Sequence, residues 1–197
     1  MKSFKTPVQQ IIFISCFFIC ITTHAQNWDI NLLRNINPQH PNSFVWKGFT
    51  STAYPTSIVY PIGLWIAAKE DHNRKMEYNA YEIAGSVIIA AGVTEAMKII
   101  FDRQRPYQKY DDVYPYKYED GKSFPSGHAS LAFATATSIS LISKKWYVIV
   151  PAYAYAFSVG YSRLYLGEHY PTDIIGSAVT GAGSAIISHW ISKKIFK

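Results

Sequence analysis

Cysteine is almost missing from this 197-residue chain: Cys16 and Cys20 are the only two, and both fall within the first 25 residues. If that stretch is removed, no thiol remains, which excludes disulfides and thiolate chemistry from the rest of the protein. Charge is scarce as well. Asp, Glu, Lys and Arg make up 16% of the chain, against about 25% in an average soluble protein. Acids are the scarcer sign, 13 against 19 bases, leaving a formal charge of +6. No basic run interleaved with aromatics is present, and no zinc-finger or helix-turn-helix signature, so the sequence implies no nucleic-acid partner. Internal repeats and low-complexity tracts are absent too.

What is abundant is apolar and aromatic. Hydrophobic residues reach 49%, with 15 Tyr, 11 Phe and 5 Trp. This mix suits a helical membrane protein with interfacial rings, although the mean hydropathy of -0.01 is modest for one. The first 25 residues carry Lys2 and Lys5, an apolar run from Ile11 to Ile21, and then Thr23-His24-Ala25. They read as a secretory signal peptide cut after Ala25, with an uncleaved anchor helix as the alternative. Residues 26–49 read as an interfacial segment, with a short helix near Trp28 to Asn35 and a loop interrupted by Pro38 and Pro41.

Residues 50–197 read as a single all-α domain, an antiparallel helical bundle. Five apolar segments, 50–68, 80–100, 127–142, 146–162 and 173–191, each have about the length of a membrane span. The basic clusters between and after them are Lys69, Arg74 and Lys75; Lys144 and Lys145; and Lys193, Lys194 and Lys197. In a transmembrane bundle all three fall on one side, as expected for cytoplasmic ends. That predicts a multi-pass protein of a bacterial-type inner membrane, with residues 101–126 and 163–172 facing the periplasm or exterior. A soluble bundle with solvated lysines at its helix ends is the alternative. Ser177, Gly181 and Ala185, four apart, predict close helix packing in either case.

Reactive side chains concentrate in three stretches of the predicted outer side. In KIIFDRQRP, Lys98 and Arg105 lie seven apart, on one face of a helix that Pro106 should end. They could hold an anion together, or Lys98 could form a surface bridge to Asp102. In SFPSGHAS, Ser126 fits a helix N-cap, with the Gly127 and His128 N–H groups open to an anion. His128 could protonate a leaving oxygen there, or be an ordinary surface histidine. In YSRLYLGEHYPTDIIGS, Pro171 suits a first helical turn that contains Asp173. Asp173 could then fix the tautomer of His169, and Arg163 offers a planar fork for phosphate oxygens. A helix-capping Asp beside a structural His fits this last segment alone equally well.

Taken together, the three stretches resemble the tripartite signature of the type 2 phosphatidic acid phosphatase and vanadium haloperoxidase superfamily. Eleven residues match in order and spacing: Lys98, Arg105 and Pro106; Pro125, Ser126, Gly127 and His128; Ser162, Arg163, His169 and Asp173. The resemblance covers residues 80–191. It implies a phosphate site at one end of an antiparallel bundle, working without a metal ion or other cofactor. Lys98, Arg105 and Arg163 would neutralise the phosphate, and Ser126 with the Gly127 backbone would bond its oxygens. His169 would be the nucleophile, oriented by Asp173, and His128 the general acid. The implied activity is hydrolysis of a lipid phosphomonoester or pyrophosphate at a membrane. A soluble acid phosphatase, a vanadate-dependent haloperoxidase and a non-catalytic membrane protein are the alternatives. His24, His40, His72 and His189 take no role in this reading, and the tyrosine-rich loop 107–124 is either a gate or plain surface.

Overall fold

A computed structural model describes residues 28–196 of the chain, all of whose regular elements are helical. The predicted signal segment lies outside the described residues. Helix α1 covers residues 28–36. It is followed by α2 (Phe44–Glu70), α3 (Arg74–Phe101), the single turn α4 (Pro106–Lys109), α5 (Gly127–Ser143), α6 (Trp146–Tyr165) and α7 (Pro171–Ile195). The five long helices coincide with the five apolar segments. The first starts six residues earlier than position 50, just after the loop that holds Pro38 and Pro41, and runs on through Pro55 and Pro61.

Short connections at 71–73 and 144–145 force antiparallel neighbours. They put the ends of α2, α3, α5, α6 and α7 that carry the basic clusters at one pole. The long connections 102–126 and 166–170 lie at the other. Helix α5 is central, packing on α7, α6, α3 and α2, and is buried without a break from Ala129 to Ser138.

Small residues make that packing close. A Cβ on Gly181 would stand 2.4 Å from the Ser130 carbonyl oxygen of α5, so α7 touches backbone there. Ser177, Gly181 and Ala185 are all buried, as their spacing predicts. Large aliphatic side chains point outward instead: Ile62, Ile88, Ile99, Val150, Val179 and Ile187 are exposed. Small and hydroxylic inside, aliphatic outside is the arrangement of helices that pack in lipid. Two stretches, Arg74–Lys109 and Pro171–Ile195, are long and apolar enough to cross a membrane.

Helix α1 forms where the sequence indicated one, but it is docked rather than peripheral. Its Ile30 and Leu33 pack with Val113, Leu164 and Tyr170 at the pole that holds the long loops.

Candidate active site

The chain between α3 and α5 brings the first two reactive stretches together. Helix α3 stops at Phe101, with Asp102 in the left-handed region, and Pro106 opens α4 rather than ending α3. Arg105 is therefore extended backbone and does not share a helical face with Lys98, contrary to the expectation from their spacing. Its side chain is 3% exposed. Nη1 donates to the Glu168 carbonyl at 3.1 Å and lies 3.4 Å from His169 Nε2. Lys98 bonds Glu95 at 3.0 Å, and Asp102 pairs with Lys122 at 2.5 Å, so the predicted Lys98–Asp102 bridge does not form. The Lys98 ammonium is held one turn back on its own helix.

Ser126 occupies the N-cap position of α5 but makes no capping bond; its hydroxyl is buried without a partner among the described residues. Gly127 lets the Tyr54 hydroxyl come close: a Cβ there would meet it at 2.6 Å and push that side chain aside. The Tyr54 ring stands edge-on to His128, 4.4 Å between centroids. The first bond of α5 runs from Ser130 N to Ser126 O, so the N–H groups of Gly127 and His128 precede the helical ladder.

Arg163 reaches in from the last turn of α6, 1% exposed. Nη1 donates to Thr50 at 2.5 Å, and Nη2 donates to both carboxylate oxygens of Glu119, each at 2.9 Å. Glu119 also pairs with Arg105 Nη2 at 3.1 Å, and Glu168 abuts Arg163 Nη2. Arg163 Nε is buried and unpartnered among the described residues. With Ser126 Oγ it makes two desolvated donors with spare capacity, the kind of group that an anion satisfies. Arg163, His128, Thr50, Glu119 and Glu168 line a pocket of about 410 Å³, together with Lys47 and Lys117.

His169 is 2% exposed. Its Nδ1 lies 2.8 Å from the Ser123 carbonyl and 3.5 Å from Asp173 Oδ2. A carbonyl can only accept, so Nδ1 carries the proton and Nε2 keeps its lone pair. The backbone of Ser123 thus sets the tautomer at closer range than Asp173, the residue expected to do so. Burial lowers the imidazole pKa to about 4, against the opposing pull of Asp173. Asp173 takes the Ser123 hydroxyl (2.5 Å) and Tyr170 N–H (2.9 Å) on Oδ2, and Arg103 Nη1 (2.5 Å) on Oδ1.

Electrostatics divides the two glutamates. For Glu119, burial opposes ionisation, but Arg163 and Arg105 outweigh it and hold the pKa down to about 2. For Glu168, burial prevails and pushes the pKa up to about 7, with the Glu119 charge adding to the rise. No three His, Asp or Glu side chains converge as metal ligands among the described residues.

The sequence reading missed Glu119, Glu168, Ser123, Arg103 and Thr50. Glu168 and Ser123 adjoin matched residues, and Arg103 lies between Lys98 and Arg105, so proximity was a usable signal. Glu119 and Thr50 carried none, because only loop closure brings the first to Arg163 and only the packing of α2 on α6 brings the second. His189, at the opposite pole, pairs with the buried Glu82 at 2.8 Å, consistent with a structural role.

The chain is similar to known proteins in sequence and in fold. The sequence profile described as "PAP2 superfamily" matches residues 79–197. An undecaprenyl-diphosphatase of Sulfolobus acidocaldarius is 32% identical over 108 residues, 52% of this chain and 50% of that protein. A lipid A 4'-phosphatase of Bacteroides thetaiotaomicron is 33% identical over 75 residues, 38% of this chain and 33% of that protein. The chain thus spans a third to a half of the length of these relatives. The crystal structure of Aquifex aeolicus LpxE superposes with a TM-score of 0.67 at 28% identity, covering 83% of this chain and 95% of that one.

Proposed function

Because this chain belongs to the PAP2 superfamily, we propose that it is a membrane phosphatase that hydrolyses a phosphomonoester or pyrophosphate of a lipid through a phosphohistidine, without a metal ion. The observation that carries the reading is the His169 ring, with Nδ1 tied to a backbone carbonyl and Nε2 left facing Arg105 beside the Arg163 pocket. The names of the relatives, a lipid diphosphatase and a lipid A phosphatase, support a lipid phosphate as substrate. The exposed aliphatic shaft supports a membrane setting. The basic pole supports a cytoplasmic side, and hence an active site facing the periplasm or exterior.

In the proposed reaction, His169 Nε2 attacks phosphorus, forming the N–P bond as the bond to the leaving oxygen breaks. His128 gives a proton to that oxygen. Water then attacks the phosphohistidine and yields a proton to His128, and the N–P bond breaks to release inorganic phosphate. Arg105 and Arg163, with Ser126 and the Gly127 N–H, stabilise the charge that spreads over the equatorial oxygens. Lys98 would join them by exchanging Glu95 for a phosphate oxygen. An entering phosphoryl group competes with Glu119 for the same guanidinium N–H groups, so Glu119 must yield its place.

The test is phosphate release by the detergent-purified protein in excess EDTA, from a panel of lipid and soluble phosphates, with His169→Ala alongside. We expect turnover of lipid phosphates with chelator present, and a loss of about 10⁴-fold or more in His169→Ala. Activity confined to soluble esters would move the protein to the acid phosphatases. Full activity in His169→Ala would refute the phosphohistidine.

A further inference from the structure

Asp29 is 2% exposed, yet it lies on α1, outside the residues that match the family. Its oxygens accept from Thr172 N at 2.8 Å, Thr172 Oγ1 at 2.6 Å and Arg103 Nη2 at 2.6 Å. The other Arg103 terminal nitrogen donates to Asp173 Oδ1, and the guanidinium carbon lies over Tyr170, 3.9 Å from the ring centroid. One guanidinium is therefore shared between two buried carboxylates. The first belongs to the N-terminal helix, and the second has its other oxygen turned toward His169.

We propose that α1 completes the active site: Asp29, acting through Arg103, is a positioning residue that sets the orientation and basicity of Asp173 and, through it, of His169. The proposal rests on the reading of His169 as nucleophile. Its physical content is a division of charge. Arg103 draws on Asp173, and Asp29 draws on Arg103, so the negative charge left for the imidazole depends on a residue 140 positions before His169 in sequence. A clamp that merely anchored α1 would not need to engage the carboxylate beside the nucleophile; Thr172 and the apolar contacts of Ile30 and Leu33 already hold the helix.

The other charged groups around His169 are Arg105 at Nε2, Arg163 and Glu119 in the pocket, neighbouring Glu168, and His128. All of them stay in place in the variants below. Asp29→Asn removes a negative charge while keeping an acceptor for Thr172. Arg103 then turns its whole charge on Asp173, the imidazolium is less favoured, and the acid limb of kcat/KM moves to lower pH. Arg103→Gln does the reverse: Asp173 becomes more basic, and the limb moves up.

The experiment measures pH profiles of kcat and KM for the full chain, Asp29→Asn, Arg103→Gln and Arg103→Lys in detergent, with thermal melts as the folding control. Expected are losses of about tenfold in kcat with little change in KM, and limbs displaced in opposite directions by about half a pH unit or more. Arg103→Lys should return the limb towards its original place. Limbs that stay fixed, or that move the same way in both variants, overturn the proposal, because a structural lesion has no charge sign. Should Asp29→Asn fail to fold, Arg103→Gln against Arg103→Lys still decides it by whether the limb rises and returns. Loss of activity in His169→Ala with unmoved limbs would sink this inference alone, whereas retained activity in His169→Ala would sink the phosphohistidine reading beneath it.

Discussion

Along the shaft of the bundle, many hydroxyls are satisfied by their own helix. Ser57 donates to the Ala53 carbonyl, Thr135 to Leu131, Ser140 to Ala136 and Ser184 to Thr180, each one turn back. At the loop-bearing pole the buried polar groups are charged, and their partners lie far away in sequence. Arg163 reaches Thr50 and Glu119, Arg103 reaches Asp29, and His169 reaches the Ser123 carbonyl. The shaft spends its polar groups on letting helices approach. The pole gathers unlike charges whose removal from water is compensated only by one another, and such a site is sensitive to any one of them.

If this contrast holds, lesions in the shaft should cost stability and leave chemistry per folded molecule alone. Gly181→Val drives side-chain atoms against the α5 backbone, which cannot yield as a flexible side chain could. We expect a loss of about 3 kcal/mol, read as a lower melting temperature in detergent, with kcat of the folded fraction within about twofold. A normal melt with a collapsed kcat would break the comparison.

At the pole the reverse should hold. Glu119→Gln removes the carboxylate that competes for Arg105 and Arg163, and should tighten inhibition by inorganic phosphate about tenfold. An unchanged inhibition constant would mean that Glu119 is not in the path of the phosphoryl group. The smallest effect concerns pH. Glu168 has its pKa raised to about 7 by burial, so it is neutral below that value and gains a negative charge as pH rises through it. That charge sits against Arg163, so KM should climb above pH 7. Glu168→Gln should flatten the climb, by about threefold at pH 8.5. A climb that survives in the variant would assign it to another group.

Local interactions made the shaft legible in the sequence. Helix positions follow from apolar runs and short basic breaks, and the Ser177–Gly181–Ala185 stripe predicted close packing because a helix repeats its face every four residues or so; that the partner is α5 came from the structure. The same logic misjudged α3. Lys98 and Arg105 share a face only if the helix continues, and it ends at Phe101. In the pole, matched spacing identified Arg105, Arg163, His169 and Asp173 as candidates, but not what each touches. Ser123 sets the His169 tautomer through a backbone carbonyl, which no side-chain pattern encodes.

The sequence by itself determined the number and order of the long helices, the pole at which the basic ends gather, and the residues that match the superfamily. These depend on composition within a turn or two, where neighbours in sequence are neighbours in space. Only the tertiary structure decided that Glu119 lies between the two arginines and that Asp29 reaches Asp173 through Arg103. Those pairings arise where loops close, and the charges meet because the bundle holds the loop ends together, whatever their separation along the chain.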